Sequence, residues 1–326
     1  MSKGNIFITG ASGYIGSVVT EQAVSQGYTV HGLSRNEAAD EKLKVLGAIP
    51  IRGDLSTLDV LRREAKQADI VFHLAFIHDW NRDYAEITRI DGEAVDAIGE
   101  GLKGTNKPFL ISSGSALVEP DPMGGETTEE SPVTTNLPFS LRVKAEKRAL
   151  DWSKESVGVV SVRLPPYVYG RGGTGIISRL MQMAVKNGEA LFVDEGTVTT
   201  RTSGVHVDDA AALYLLITQK LRAGNIKAGE IFNATASNYP TVKEMAEAIG
   251  AVLGVPVRSA KLEEVQEKWH SILVWFVRHT NMASNKKARE QLGWELHGDE
   301  MLADIRSGSY VELAKKLKEG GVSKYA

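Results

Sequence analysis

The chain contains no cysteine, which excludes disulfides, thiolate zinc sites and a cysteine nucleophile. It also has almost no charge imbalance: 38 basic against 41 acidic residues leave a net charge of -3, so nothing in the balance points to a polyanionic partner. Long apolar runs are missing as well. The longest, Ala210 to Ile217 and Ile272 to Val277, fall far short of the ~18 residues that suggest a membrane span. Met1-Ser2-Lys3-Gly4 leads directly into a strand-like pattern, without the apolar stretch and cleavage site of a secretion signal. These absences set the expectation of a cytoplasmic protein with no nucleic-acid, membrane or metal partner.

What is present is a regular alternation over the first half of the 326 residues. Asn5 to Thr9, Thr29 to Leu33, Ala48 to Arg52, Ile70 to Leu74, Phe109 to Ser112 and Val159 to Leu164 read as strands. Between them Gly16 to Gln26, Leu58 to Lys66, Gly92 to Leu102 and Leu141 to Glu155 read as helices, closed by turn residues such as Gly27 and Gly104. This alternation predicts an α/β fold with a doubly wound parallel sheet. After Pro165-Pro166 the regularity weakens, and Gly170-Arg171-Gly172-Gly173-Thr174-Gly175 reads as a loop or hinge. A helix from Ile176 to Asn187, a segment around Gly204 to Gln219 and the tail from Thr241 then build a smaller lobe. No internal repeat or low-complexity segment is visible.

The chemistry starts at the first turn. The strand Asn5 to Thr9 runs into Gly10-Ala11-Ser12-Gly13-Tyr14-Ile15-Gly16 and then a helix, the context that makes spaced glycines a dinucleotide-binding signal. Gly10 permits the tight turn, Gly13 lets backbone N–H groups approach a pyrophosphate at the helix start, and Gly16 lets helix and strand pack closely. Ser12, Tyr14 and Ile15 lie in the same turn. An NAD site places a carboxylate about 20 residues later on the ribose 2′-hydroxyl. Here the second strand ends in Ser34-Arg35-Asn36, with no carboxylate before Glu37, so a hydroxyl and a cation stand where a 2′-phosphate would sit and NADP(H) is the expected cofactor. Asp54, in Gly53-Asp54-Leu55, can meet the adenine amino group, and Leu74-Ala75-Phe76 closes the fourth strand over the cofactor. Residues 1–165 are therefore read as an NADP-binding Rossmann domain to which 204–236 return, and 166–203 with 237–326 as the substrate-binding lobe.

Together these runs, with His73-Leu74-Ala75, Ile111-Ser112-Ser113, Arg163-Leu164-Pro165-Pro166-Tyr167-Val168-Tyr169-Gly170, Val205-His206-Val207-Asp208-Asp209 and Leu292-Gly293-Trp294, resemble the short-chain dehydrogenase/reductase superfamily. The similarity is to its extended branch, with epimerase/dehydratase and dihydroflavonol-reductase-like enzymes, and it runs nearly the whole length. The resemblance implies that Pro165 and Val168 line the cofactor where the chain passes the nicotinamide. It also implies a Ser or Thr after the fifth strand and a Tyr-x-x-x-Lys on the next helix, where the phenol protonates the substrate oxygen and the ammonium lowers its pKa and holds the nicotinamide ribose.

That catalytic set is eroded. The helix reads Phe139-Ser140-Leu141-Arg142-Val143-Lys144-Ala145-Glu146. With Lys144 as the family lysine, Ser140 stands where the tyrosine belongs; an alignment shifted by two puts Arg142 and Glu146 there instead. Gly114 occupies the usual serine position, flanked by Ser113 and Ser115, whose hydroxyls are catalytic candidates or turn caps. Tyr167, Tyr169 and His78, in Phe76-Ile77-His78-Asp79-Trp80, are the remaining proton-donor candidates at strand ends, where open α/β sheets bind ligands. His206 reads as a helix N-cap. Three functions follow: an NADPH-dependent reductase of a small aldehyde or ketone, a sugar-nucleotide epimerase or dehydratase, and an NADP(H)-binding redox sensor without turnover. Each implies a small-molecule ligand and a monomer or homodimer.

Overall fold

The computed structural model describes residues 3–79, 81–136, 139–193 and 200–320; Trp80 lies outside them. The first half builds β1 (Asn5–Thr9), α1 (Tyr14–Ser25), β2 (Thr29–Ser34), α2 (Glu37–Val45), β3 (Ile49–Arg52), α3 (Leu58–Gln67), β4 (Ile70–His73), α4 (Tyr84–Leu102), β5 (Pro108–Gly114), α5 (Ser140–Asp151) and β6 (Gly158–Leu164). The second half adds β7 (Tyr167–Tyr169), α6 (Ile176–Asn187), β8 (Ala190–Val193), β9 (Gly204–His206), α7 (Val207–Arg222), β10 (Ile231–Asn233), α8 (Val242–Leu253) and β11 (Val257–Ala260). The chain ends through α9 (Leu262–Lys268), α10 (Ser271–Arg278), α11 (Met301–Ser307) and α12 (Tyr310–Lys318).

Seven strands form one parallel sheet in the order β10-β6-β5-β4-β1-β2-β3. Successive side chains on a strand point to opposite faces, so two cores result. Ile6, Ile8, Val30, Phe72 and Leu110 pack on the face covered by Val18 and Val19 of α1 and Leu213, Tyr214 and Ile217 of α7. Phe7, Leu33, Val71, Phe109 and Ile111 pack on the other face, against Leu61 and Ala65 of α3 and Ala94 and Ile98 of α4. Strands buried on both faces are what βαβ crossovers require. The order reverses between β1 and β4, so the crevice beyond their carboxyl ends is the topological switch point at which such sheets bind ligands.

A third core gathers Tyr167, Tyr169, Met181, Met245, Ile249, Val277, Ile305 and Leu317, beside the parallel pairs β8–β11 and β7–β9. The tail also returns to the sheet: Ala288, Leu292 and Trp294 join the α1–α7 core, with the Trp294 indole donating to Asp209 O at 3.2 Å.

Two helices depart from the sequence pattern. Helix α2 buries only Leu43, so it has almost no apolar stripe to betray it; its start is fixed by Asn36, whose side chain accepts from Ala39 N. Helix α4 starts at Tyr84, eight residues before the position expected from Gly92, with Asp83 accepting from Ala85 N as its cap. Gly92 is interior because α5 passes close: a β-carbon there would stand 2.5 Å from Arg148 Nη1.

Candidate functional site

The dinucleotide turn is built by close backbone approach. Gly10 has φ +75° and crosses the end of β4 so tightly that a β-carbon would lie 2.7 Å from Ala75 N. At Gly16 a β-carbon would lie 2.0 Å from Gly10 O, which makes it the contact where α1 presses on the turn. Gly13 is exposed and has extended φ and ψ of -70° and 178° as the N-cap of α1. It donates no side-chain cap, and the first turn of α1 holds no acidic residue. Ser12, Tyr14 and Ile15 are half-buried around it. A helix N-terminus with open N–H groups and no competing carboxylate suits an anion.

The end of β2 presents Arg35 to solvent and buries Ser34, whose hydroxyl donates to Asn36 O at 3.0 Å. Ser34 therefore shapes the turn from within, and the exposed cation is Arg35. Sequence reading missed Lys42: from α2 its ammonium reaches back to Ser12 O at 2.7 Å, and desolvation lowers its pKa. Asp54 follows β3 with its carboxylate on Ser56 N and Oγ at 2.8 and 2.6 Å. These bonds, and Arg35 nearby, hold its pKa below the usual range. Leu55 is buried, and Leu74, Ala75 and Phe76 run half-buried from β4 across the glycine turn.

Between β4 and β5 lies a buried polar chain. His73 Nδ1 stands 2.8 Å from Thr9 Oγ1 and its Nε2 3.1 Å from Asp91 Oδ1. Arg142 donates from Nη1 to Asp91 Oδ2 at 2.8 Å and from Nη2 to the Ser112 carbonyl at 3.1 Å, while its guanidinium carbon sits 4.2 Å from the Phe76 ring centroid. Burial alone would raise the Asp91 pKa, but Arg142 and His73 outweigh it and hold the carboxyl below its ordinary value.

The arrangement also sets the two cations of α5 apart. On α5 the inner stripe is Arg142, Glu146 and Ala149, whereas Lys144, two positions and more than half a turn from Arg142, is exposed. No hydrogen bond or ion pair among the described residues holds the Lys144 ammonium, whereas Arg142 is fixed by Asp91 and the Ser112 carbonyl. Glu146 takes Arg163 Nη2 at 2.7 Å and Ser161 Oγ at 2.7 Å in a fully enclosed ion pair. Burial would raise the pKa of Glu146, yet Arg163 and the neighbouring hydroxyls bring it below the usual value.

The hydroxyl candidates differ in what engages them. Ser115 is fully buried and donates to Asn281 Oδ1 at 2.9 Å. Ser113 is buried beside Glu146, and its hydroxyl makes no hydrogen bond among the described residues. Tyr167 and Tyr169 point into the lobe core, donating to Phe276 O at 3.1 Å and Asp299 O at 2.9 Å, and burial drives both phenol pKa values far up. Pro165 is buried and Val168 half-buried between them. Tyr14 donates to Gly170 O at 2.7 Å, and a β-carbon on Gly173 would stand 1.9 Å from its ring, so Gly173 has to be a glycine for that ring to lodge there. His206 caps α7, accepting from Asp208 N.

The rim of the crevice is aromatic. The Phe76 ring lies 5.3 Å from His78 and 6.2 Å from Tyr84; Phe139 lies 6.4 Å from Tyr84 and 4.5 Å from Trp275, which stacks on His279 at 4.3 Å. His78 stands on an exposed stretch of loop, yet the atoms packed round its imidazole, together with Arg142 and Arg179, lower its pKa and keep it neutral. Desolvation holds His279 down to about 4.

The model of the NAD dependent epimerase/dehydratase family matches residues 6–234, the whole span from β1 to β10. The chain belongs to that family. As a member of the epimerase/dehydratase family it falls in the extended short-chain dehydrogenase/reductase class, whose enzymes are oxidoreductases and epimerases. It is 34% identical over 307 residues to Uncharacterized protein YLL056C of Saccharomyces cerevisiae, covering 93% of this chain and 98% of that one. It is 25% identical over 224 residues to the 4-hydroxy-2-methyl-3-oxo-4-farnesyl-3,4-dihydroquinoline-1-oxide ketoreductase of Stigmatella aurantiaca, covering 68% of this chain and 66% of the ketoreductase. Among solved structures it shares its fold with MoeE5, determined in complex with UDP-glucose and NAD, at TM-score 0.76 and 20% identity, covering 96% of this chain and 99% of MoeE5.

Proposed function

We propose that this member of the epimerase/dehydratase family is an NADP(H)-dependent oxidoreductase that reduces a small aldehyde or ketone. The observation that carries the cofactor choice is the exposed Arg35 at the end of β2, with Lys42 behind the glycine turn and no carboxylate before Glu37. Two cations there suit a 2′-phosphate, and a ribose hydroxyl would want an acceptor. Gly10, Ser12, Gly13, Tyr14, Ile15 and Gly16 would hold the pyrophosphate, Asp54 and Leu55 the adenine, and Leu74 to Phe76 with Pro165 and Val168 the nicotinamide end. Bound cofactor supplies the hydride. In this reading Arg142, directed into the crevice by Asp91 and the Ser112 carbonyl, takes the cationic place that Lys144 does not reach. The lobe formed by 166–203 and 237–326 would close over the substrate.

The aromatic rim supports a carbonyl compound with a flat or apolar body, and the named ketoreductase relative supports reduction. The second reading, a sugar-nucleotide epimerase or dehydratase, draws on the fold shared with MoeE5. Calorimetric titration of NADPH and NADH, followed by NADPH oxidation against aldehydes and ketones, separates them, with UDP-sugars assayed apart for epimerisation. NADPH binding without any carbonyl turnover overturns the reductase and leaves a sensor. Epimerisation of a UDP-sugar with tightly held NAD supports the second reading.

A further inference from the structure

The reaction proposed above needs a proton for the carbonyl oxygen, and the phenol that the superfamily draws from the helix after β5 is missing from α5. The other described tyrosines cannot replace it where they stand. Tyr14, Tyr167, Tyr169 and Tyr239 donate to Gly170 O, Phe276 O, Asp299 O and Glu126, Tyr214 shares a bond with Ser112 Oγ, and Tyr28 and Tyr310 are buried in the cores. Tyr84 differs from all of them. It is the first residue of α4, so it emerges at the carboxyl edge of the sheet beside the switch point. Its ring is half-buried against Phe76 and Phe139, and no acceptor among the described residues takes its hydroxyl.

We propose that Tyr84 is the proton donor of this enzyme, paired with Arg142 as the cation that stabilises its phenolate. The pair would rebuild from two helices what the superfamily places on one: Phe76 touches both partners, its ring 6.2 Å from that of Tyr84 and 4.2 Å from the Arg142 guanidinium carbon. Asp91, two turns along the face of α4 that carries Tyr84, fixes Arg142 in position. The step balances. The carbonyl carbon gains the hydride given up by bound NADPH, its π electrons move to oxygen, and oxygen takes the Tyr84 proton, yielding an alcohol and oxidised cofactor. Water then returns a proton to the phenolate.

The charged groups facing Tyr84 are Arg142 from α5 and Asp91 from its own helix; Phe76 and Phe139 are uncharged, and His78, edge-on to Phe76, is kept neutral. Burial raises the phenol pKa, Arg142 opposes that rise and Asp91 adds to it. Tyr84 thus keeps its proton through neutral pH and loses it only in the alkaline range.

The proposal rests on the reductase reading, and the test separates the two. Steady-state NADPH oxidation with the aldehyde and ketone panel is compared in wild type, Tyr84→Phe and His78→Ala, and alkaline difference-absorbance titration of the oxidised-cofactor complex follows the phenolate. Tyr84→Phe removes a hydroxyl that bonds to none of the described residues, so the fold and the NADPH affinity should stand while kcat falls about 10²–10⁴-fold and the alkaline limb of the pH profile disappears. The double variant Arg142→Met with Asp91→Asn, which leaves no charge orphaned, should move the Tyr84 titration to higher pH. Turnover of Tyr84→Phe within a few-fold of wild type, or a loss confined to His78→Ala, overturns the proposal. If wild type reduces no carbonyl, the reductase reading falls, and the titration alone judges the pair: a Tyr84 midpoint indifferent to the double variant overturns it, and an upward shift supports it.

Discussion

Arg142 Nη1 lies 2.8 Å from Asp91 Oδ2 while its Nη2 reaches the Ser112 carbonyl at 3.1 Å, so one guanidinium ties α4 and α5 to the end of β5. Removing one partner of a buried pair leaves the other charge without compensation. Arg142→Met should therefore destabilise the fold by ~3–5 kcal/mol, read from chemical denaturation. Lys144→Ala, on the exposed stripe, should change stability by less than about 0.5 kcal/mol and leave NADPH affinity alone. Ser140→Tyr, one turn from Lys144 on the same stripe, should give no gain in turnover. A clear loss of cofactor affinity in Lys144→Ala would favour the alignment with Lys144 as the family lysine.

Arg35 is open to solvent beside the glycine turn, where a charge-assisted bond to a 2′-phosphate is worth ~1.5–3 kcal/mol. NADPH should bind roughly tenfold to a hundredfold more tightly than NADH, and Arg35→Ala should erase most of that difference through weaker NADPH binding. Calorimetric titration of both cofactors checks it; equal affinities in the wild type would remove the basis for the cofactor choice.

The glycines of the turn should separate by role. A β-carbon on Gly13 would meet only Gly10 O at 3.1 Å, whereas one on Gly16 would fall 2.0 Å from the same atom. Gly13→Val should retain the circular dichroism of the wild type and lose cofactor binding, because its branches occupy the pyrophosphate position. Gly16→Ala should lower the melting temperature outright. A stable Gly13→Val protein that still binds NADPH would make the turn merely structural.

Asp91 and Glu146 both have pKa values held below the ordinary carboxylate range, against the effect of their burial, chiefly by Arg142 and Arg163. A depressed folded-state pKa contributes stability that is complete above the unfolded value and disappears as pH falls through the folded one. Denaturation midpoints should thus hold steady at neutral pH and decline on acidification below that range. The decline should flatten in the double variant Glu146→Gln with Arg163→Met, which removes the titrating pair together.

A β-carbon on Gly114, at the superfamily's serine position, would meet nothing closer than Leu164 O at 4.0 Å. Gly114→Ser should therefore fold normally and place a hydroxyl at the carboxyl end of β5. If a substrate carbonyl lies there, kcat should rise by up to about 10²-fold. An unchanged kcat would move the carbonyl away from β5.

The parts of the molecule legible in the sequence are those where backbone geometry allows few residues. Gly10 and Gly16 announce the turn because no side chain fits there, and the runs of β1, β4, β5 and β6 announce a sheet buried on both faces. Helix α2 was illegible because it buries one leucine, and the start of α4 because Gly92 answers to Arg148 of another helix. The catalytic candidates are less legible for a related reason. Spacing along α5 allows either Ser140 with Lys144 or Arg142 with Glu146 at the superfamily's two places, and spacing does not tell which pair turns inward; in the structure it is Arg142 and Glu146, Glu146 meeting Arg163. Ser115 and Tyr167 carried the right chemistry in the right place along the chain, but their hydroxyls bond to Asn281 and Phe276, more than a hundred residues away.

The lodging of the Tyr14 ring against Gly173 couples two positions 159 residues apart by volume alone. One begins α1, the helix that follows the glycine turn; the other belongs to the loop that leads into α6. Evolution can therefore not vary them independently. Any relative with a side chain at the position of Gly173 must give up the bulk of Tyr14 or shift the loop, and a relative that keeps the aromatic ring must keep the glycine. Covariation of this kind would appear in an alignment as exchange between a large–none and a small–small pairing, with no charge or hydrogen bond to account for it.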